Sequence, residues 1–246
     1  ANGYPLLRPA GLSIYISVPF CPSRCDYCSF ASLPLDLWQG KVDSYVRQGA
    51  AELKELLLAC RRYEHPVNSI YVGGGTPTSL SPRQLEELLA PASGQKCEFT
   101  VEAGRPDTLT REHLAVLKAA GVNRLSVNSQ YPQDSTLAAI GRKHTAKQFY
   151  TALEMAVSAG LGTVNSDLIV GLPGQTPADF ADVISRLAAA GVANITIHAL
   201  ALKRGAEIRH QYLDNAESRM IAEAAYERLN SLGFQPYYLY RQRNIA

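Results

Sequence analysis

The sequence predicts an α/β protein, an open partial (β/α)6 barrel with parallel strands. Three observations carry that expectation. Short β-rich stretches alternate with longer stretches of helical periodicity along the 246 residues, as right-handed βαβ units require. The stretch 163–170 ends in a continuous apolar run, which suits a buried parallel strand. Six units are present, fewer than the eight of a closed barrel. In such a sheet ligands gather at the carboxyl ends of the strands, and the notable residues here all sit just after strands.

The elements follow in order. Residues 13–18 alternate and are β-rich, and Pro19 and the first cysteines come directly after them. Residues 37–60 carry Val42, Tyr45, Val46, Leu53, Leu56 and Leu57 at helical spacing. A second strand over 69–72 is stopped by Gly73, Gly74 and Gly75. Ser81 is a good N-cap, with Pro82 at the first helical position of a helix ending near Ala90 and Pro91. A third strand, 99–103, leads to a helix over 111–120 closed by Gly121. The fourth strand, 124–128, is followed by helices at 134–140 and 146–159, the second closed by Gly160. Strand 163–170 leads to helix 177–190, then strand 194–200. A helix over 217–232 and a strand over 236–240 finish the chain. No low-complexity segment or internal linker interrupts residues 1–246, which read as one domain. The chain starts at Ala1 without an initiator Met and ends at Ala246 after a polar run. Both ends are expected to be cuts within a longer protein.

Composition narrows the function classes. With 46% hydrophobic and 19% charged residues the chain is globular. A formal charge of +2 argues for neither nucleic acid nor an anionic membrane. No apolar run in these residues is long enough to span a bilayer, and no signal peptide is expected. Five cysteines, three of them within eight residues, make a poor disulfide framework and a good metal motif. A reducing, cytoplasmic setting is expected.

The first motif runs from Tyr15 through Cys21, Cys25 and Cys28, and Ser29 and Phe30 follow directly. Spacings of three residues and then two let one loop wrap an iron–sulfur cubane, three thiolates holding three irons and leaving the fourth open. The alternatives are structural zinc, which usually wants a fourth Cys or His, and buried structural thiols. Cys60 and Cys97 read as core or surface thiols. In the second motif, Gly74, Gly75 and Thr76 follow the second strand. Such a run brings backbone close to a ligand or makes a tight turn before a helix. Asp167 stands inside an apolar strand, where a carboxylate is costly without a partner. It is expected to face the barrel interior and meet either a ligand or Arg142.

A CxxxCxxC loop directly after the first strand, with a glycine run one unit later, resembles the radical S-adenosylmethionine superfamily. That resemblance implies a radical S-adenosylmethionine-type barrel, a 4Fe–4S cluster on Cys21, Cys25 and Cys28, and S-adenosylmethionine on the open iron. Reductive cleavage there gives methionine and a 5′-deoxyadenosyl radical. From Tyr15 to Arg243 the motifs resemble the oxygen-independent coproporphyrinogen III oxidase family. Its pattern puts Tyr15 near the cluster and Gly74, Gly75, Thr76 and Glu102 at S-adenosylmethionine. It implies a second S-adenosylmethionine at Tyr27, Gln130, Arg142, Asp167 and Ala201. The phrases Val101 to Asp107 and Pro236 to Gln242 are most similar to the coproporphyrinogen dehydrogenase HemZ subgroup.

The resemblance implies oxidative decarboxylation of coproporphyrinogen III to protoporphyrinogen IX, with a low-potential donor such as flavodoxin or ferredoxin. Oxidase members carry a fourth cysteine two residues after the third, where this chain has Phe30. Relatives without it include haem-binding chaperones, so a porphyrinogen or haem-type molecule is the expected partner under either reading. A radical methyltransferase is a further alternative. The family's C-terminal domain, which covers the substrate, has no counterpart in these residues. Arg105, Arg241 and Arg243 are candidates for substrate carboxylates, with ordinary surface arginines as the alternative reading.

Overall fold

A computed structural model describes residues 11–201 and 215–238. Its strands are β1 (Leu12–Val18), β2 (Phe20–Cys21), β3 (Leu33–Pro34), β4 (Val67–Gly74), β5 (Glu98–Ala103), β6 (Arg124–Val127), β7 (Thr163–Val170) and β8 (Asn194–Ala199). Its helices are α1 (Leu35–Arg62), α2 (Pro82–Leu89), α3 (Arg111–Ala120), α4 (Asp134–Ala139), α5 (Ala146–Ser158), α6 (Pro177–Ala189) and α7 (Asn215–Ser231). Six strands form one open sheet in the order β1-β4-β5-β6-β7-β8. Every neighbouring pair is parallel. This is the predicted six-stranded α/β architecture.

Two-residue alternation sorts the strand side chains. Phe99, Val101, Leu125, Val127, Leu168 and Val170 are buried. They join one core with Leu85 and Leu88 of α2, Phe149 and Leu153 of α5, and Phe180 and Ile184 of α6. The alternating positions Thr100, Glu102, Ser126, Asn165 and Asp167 point the other way and are polar, with Ile169 the apolar exception. Register sets Glu102 beside Ser126, Ser126 beside Asn165, and Asp167 beside Thr196. The sheet is thus apolar toward the helices and polar within the barrel.

Local signals account for the boundaries. Ser81 and Gln84 form a reciprocal capping box at α2. Gly121 closes α3 in the left-handed region at φ 86°. Helix α1 runs beyond the expected 37–60, and Leu56 on it is exposed while Val42, Val46, Leu53 and Leu57 are buried. The paired fragments β2 and β3 were not anticipated; two residues carry no period to detect. The expected strand over 236–240 takes no strand conformation at 236–238, and the rest lies outside the described residues. No helix among the described residues is long and apolar enough to cross a membrane.

Candidate functional site

The cysteine loop leaves the carboxyl end of β1 and is clamped by the glycine run after β4. Gly75 N–H donates to Val18 O at 2.7 Å and Thr76 N–H donates to Phe20 O at 2.8 Å. Cys28 N–H donates to Cys25 O at 3.0 Å, turning the loop on itself. Cys21 Sγ lies 3.4 Å from Thr76 Oγ1. Cys25 is buried, while Cys21 and Cys28 are partly open. Burial pushes the Cys21 and Cys28 thiols up, so ionisation there calls for a nearby positive centre.

Glycine is required at two positions of this clamp. Gly74 has φ 107°, and a Cβ there would stand 2.9 Å from Val18 O. A Cβ on Gly75 would meet Phe20 O at 2.7 Å and Cys21 Sγ at 3.0 Å. Bulk at Gly75 therefore strikes the cysteine loop. Gly75→Ala is expected to displace the loop, cost about 1–3 kcal/mol, and lower reconstituted iron per chain. Unchanged iron and melting temperature would show that the loop yields freely.

One cavity of about 870 Å³ opens at the carboxyl ends of the strands. It is lined by all three motif cysteines and by Tyr27, Gly74, Gly75, Thr76, Glu102, Gln130, Arg142, Asp167 and Ala201. Sequence reasoning thus named residues from seven separate chain segments that line one cavity. Tyr15 does not line it: it is 58% exposed and stacks on Tyr71 at 5.9 Å. Tyr71 lines the cavity instead and was missed; its place two residues before Gly73 on an alternating strand was the available signal. Cys60 and Cys97 are not among the lining residues, in keeping with structural thiols.

Two carboxylates face the cavity. Glu102 accepts from Tyr71 Oη at 2.5 Å. Burial pushes its carboxyl up, Tyr71 and the Gly74 N–H oppose that, and the Asp167 charge adds to it. Asp167 accepts from Asn165 Nδ2 at 2.8 Å and Asn128 Nδ2 at 3.0 Å, with His198 Nε2 at 3.9 Å. It faces the interior as expected, but it does not pair with Arg142. The buried Arg142 donates to Tyr27 Oη at 2.7 Å, Gly104 O at 3.0 Å and Asn128 O at 2.6 Å. Asn128 was missed because the register that brings it to Asp167 is invisible in one sequence, whereas Asn165, two residues before Asp167 on β7, shares its face by simple alternation. Gln130 holds a left-handed backbone at φ 71° beside Leu168, an uncommon conformation for a non-glycine residue.

Arg105, which lines the cavity, is not the ordinary surface arginine of the alternative reading. It is only 3% exposed, and its guanidinium is occupied by Asp107 and by Ser23 of the cysteine loop. Arg241 and Arg243 lie outside the described residues.

The donor set fits an iron–sulfur cluster. Three thiols of one loop line one cavity, and Phe30, at the place of the oxidase members' fourth cysteine, is 65% exposed. No three His, Cys, Asp or Glu side chains among the described residues converge on a single-ion site. A cubane does not need them to, since each thiolate takes its own iron.

The fold and this site define a radical S-adenosylmethionine protein: residues 15–187 match the Radical SAM superfamily, and the chain belongs to it. Among curated relatives it is 36% identical over 245 residues to the oxygen-independent coproporphyrinogen-III oxidase-like protein HemZ of Bacillus subtilis, covering 95% of this chain and 49% of HemZ. It is 40% identical over 170 residues to the heme chaperone HemW of the same organism, covering 67% of this chain and 44% of HemW. The chain spans about half the length of these curated relatives. The solved structure of coproporphyrinogen III oxidase HemN from Escherichia coli superposes with a TM-score of 0.75 at 23% identity, covering 94% of this chain and 55% of that one. That likeness shows a shared fold. A 4Fe–4S cluster and S-adenosylmethionine are the cofactors the superfamily implies.

Proposed function

We propose that Cys21, Cys25 and Cys28 hold a 4Fe–4S cluster with one open iron, and that the protein oxidatively decarboxylates coproporphyrinogen III to protoporphyrinogen IX. The observation that carries this reading is the single cavity shared by three thiols, the glycine clamp and two carboxylates. Cys21, Cys25 and Cys28 would hold the cluster, and with bound S-adenosylmethionine it would supply the radical chemistry that converts a propionate to a vinyl group with loss of carbon dioxide, the electron released passing to a one-electron acceptor.

The chain's own residues bind and orient. Gly74, Gly75 and Thr76 fix the cysteine loop and bring backbone to the cavity wall. Glu102 and Asp167 offer acceptors for ammonium and hydroxyl groups of S-adenosylmethionine. Tyr27, Gln130, Arg142, Asp167 and Ala201 line the part of the cavity where a second molecule of it would bind. A low-potential donor such as flavodoxin or ferredoxin supplies electrons in the cytoplasm, and flanking domains of a longer protein cover the substrate.

Anaerobic turnover tests the reading. Reduced protein with S-adenosylmethionine should convert coproporphyrinogen III to vinyl products and release 5′-deoxyadenosine. The similarity to HemW favours one other reading, a haem-binding chaperone. Stoichiometric haem binding with no vinyl product would select it, and a methylated product would select a methyltransferase.

Asp167→Asn probes the ligand wall. Asp167 receives two amide donors, and asparagine can accept only one of them without turning its own N–H2 on the other. Losing a charge-assisted bond is worth roughly 1.5–3 kcal/mol. S-adenosylmethionine affinity or turnover should therefore fall about tenfold or more, with the cluster retained. A variant that loses melting temperature but binds normally per folded molecule would make Asp167 purely structural.

A further inference from the structure

Arg105 is buried at the one point where the turn after β5 meets the cysteine loop. Its Nη1 donates to Ser23 Oγ at 2.9 Å and lies 3.8 Å from Cys25 Sγ. The other edge of the guanidinium grips Asp107, Nε to Oδ1 at 3.2 Å and Nη2 to Oδ2 at 3.3 Å. Thr108 fixes the turn by donating to Arg105 O through both its N–H, at 3.0 Å, and its Oγ1, at 2.8 Å. Behind Asp107 stands His144, fully buried, with Nδ1 at 3.7 Å from Asp107 Oδ1.

This arrangement is more specific than a structural bolt needs. A bolt between two loops could end at Ser23. Here the cation also reaches Cys25, the most buried of the three thiols, where a charge is least screened by water. The bidentate Asp107 sets the direction of the planar fork, so the Nη1 edge has one orientation. Burial and the Arg142 charge hold the His144 imidazole neutral, with its pKa lowered to about 4. Asp107 then makes its bidentate contact with Arg105 and feels the Arg142 charge only at longer range.

We propose that Arg105 is a positioning residue of the cluster, donating to the Cys25 thiolate and raising the reduction potential, with Asp107 setting how much of its charge is felt. A hydrogen bond or positive charge at a ligating sulfur stabilises the reduced, more negative cluster. The proposal rests on the reading that Cys25 binds a cluster.

The test is an electron paramagnetic resonance-monitored redox titration of anaerobically reconstituted wild type, Arg105→Gln, Arg105→Lys and Asp107→Asn, with iron per chain measured for each. Absence of iron in the wild type would sink the cluster reading itself, separately from the role of Arg105. With iron retained, Arg105→Gln should be about tenfold harder to reduce, a midpoint about 59 mV more negative for a one-electron couple. Arg105→Lys keeps the charge and should recover most of that shift. Asp107→Asn leaves the guanidinium uncompensated and should move the midpoint the opposite way, and it decides the matter should Arg105→Gln fail to hold iron. An iron-loaded Arg105→Gln with the wild-type midpoint would overturn the proposal. So would an unshifted midpoint in Asp107→Asn.

Discussion

Cys25→Ala is expected to abolish the cluster outright. Wild-type protein reconstituted without oxygen should hold about four irons per chain, with the broad visible absorbance and reduced-state paramagnetic signal of a cubane. The variant should lose both, together with all 5′-deoxyadenosine formation. Cys25 is the middle cysteine of the motif and the buried one, with its N-terminal neighbours clamped to the glycine run and its C-terminal neighbours turned back through Cys28. No other thiol is placed to replace it: Cys60 is buried in α1, and Cys97 precedes β5. Metal analysis and absorbance check the result. Tightly bound zinc in place of iron would defeat the cluster assignment, and so would an undiminished cluster in the variant.

Between pH 6.5 and about 4 the metal-free chain is expected to lose about 3 kcal/mol of stability through His144 alone. Burial, then the Arg142 charge, lowers the His144 pKa from 6.5 to about 4. Neither ring nitrogen has a hydrogen-bond partner among the described residues, since Asp107 at 3.7 Å is too distant for one. The folded pKa lies below the unfolded one, so the unfolded chain takes up the proton first as pH falls. The stability is complete above pH 6.5 and lost progressively down to about 4. Glu102 works in the opposite direction, because its carboxyl is pushed up by burial and its penalty is relieved on acidification. Urea denaturation across this range should show the acid loss in wild type and a much flatter curve in His144→Leu, which forfeits no hydrogen bond. An identical slope in the variant would place the acid sensitivity elsewhere.

Periodicity made the sheet and most helices legible. The strand over 163–170 and the helix over 111–120 fall where alternation, N-cap and closing glycine put them. The site was legible in a different way, through spacing in the cysteine motif and position after strands. What stayed hidden depends on three-dimensional neighbours. Nothing in the sequence distinguishes the buried Arg105 from a solvated arginine, because its partners Ser23 and Cys25 arrive from another unit. Asp167 was correctly expected to face inward, yet its partner Asn128 arrives only through the pairing of β6 with β7. The direction of the missing Cβ at Gly75, and the left-handed turn at Gln130, are set by backbone geometry that composition does not encode.

The backbone clamp between the glycine run and the cysteine loop also orders events in time. Its two hydrogen bonds join Val18 and Phe20 to Gly75 and Thr76, so everything it needs has been synthesised once β1, α1 and β4 have emerged. The pairing is non-local, with a 28-residue helix between its partners, and such closures are slow compared with helix growth. The opposite wall of the cavity, from Asn165 through His198, belongs to β7 and β8 and is the last part of the sheet to leave the ribosome. The sulfur-bearing loop can thus take its shape on a nascent chain whose cavity does not yet exist.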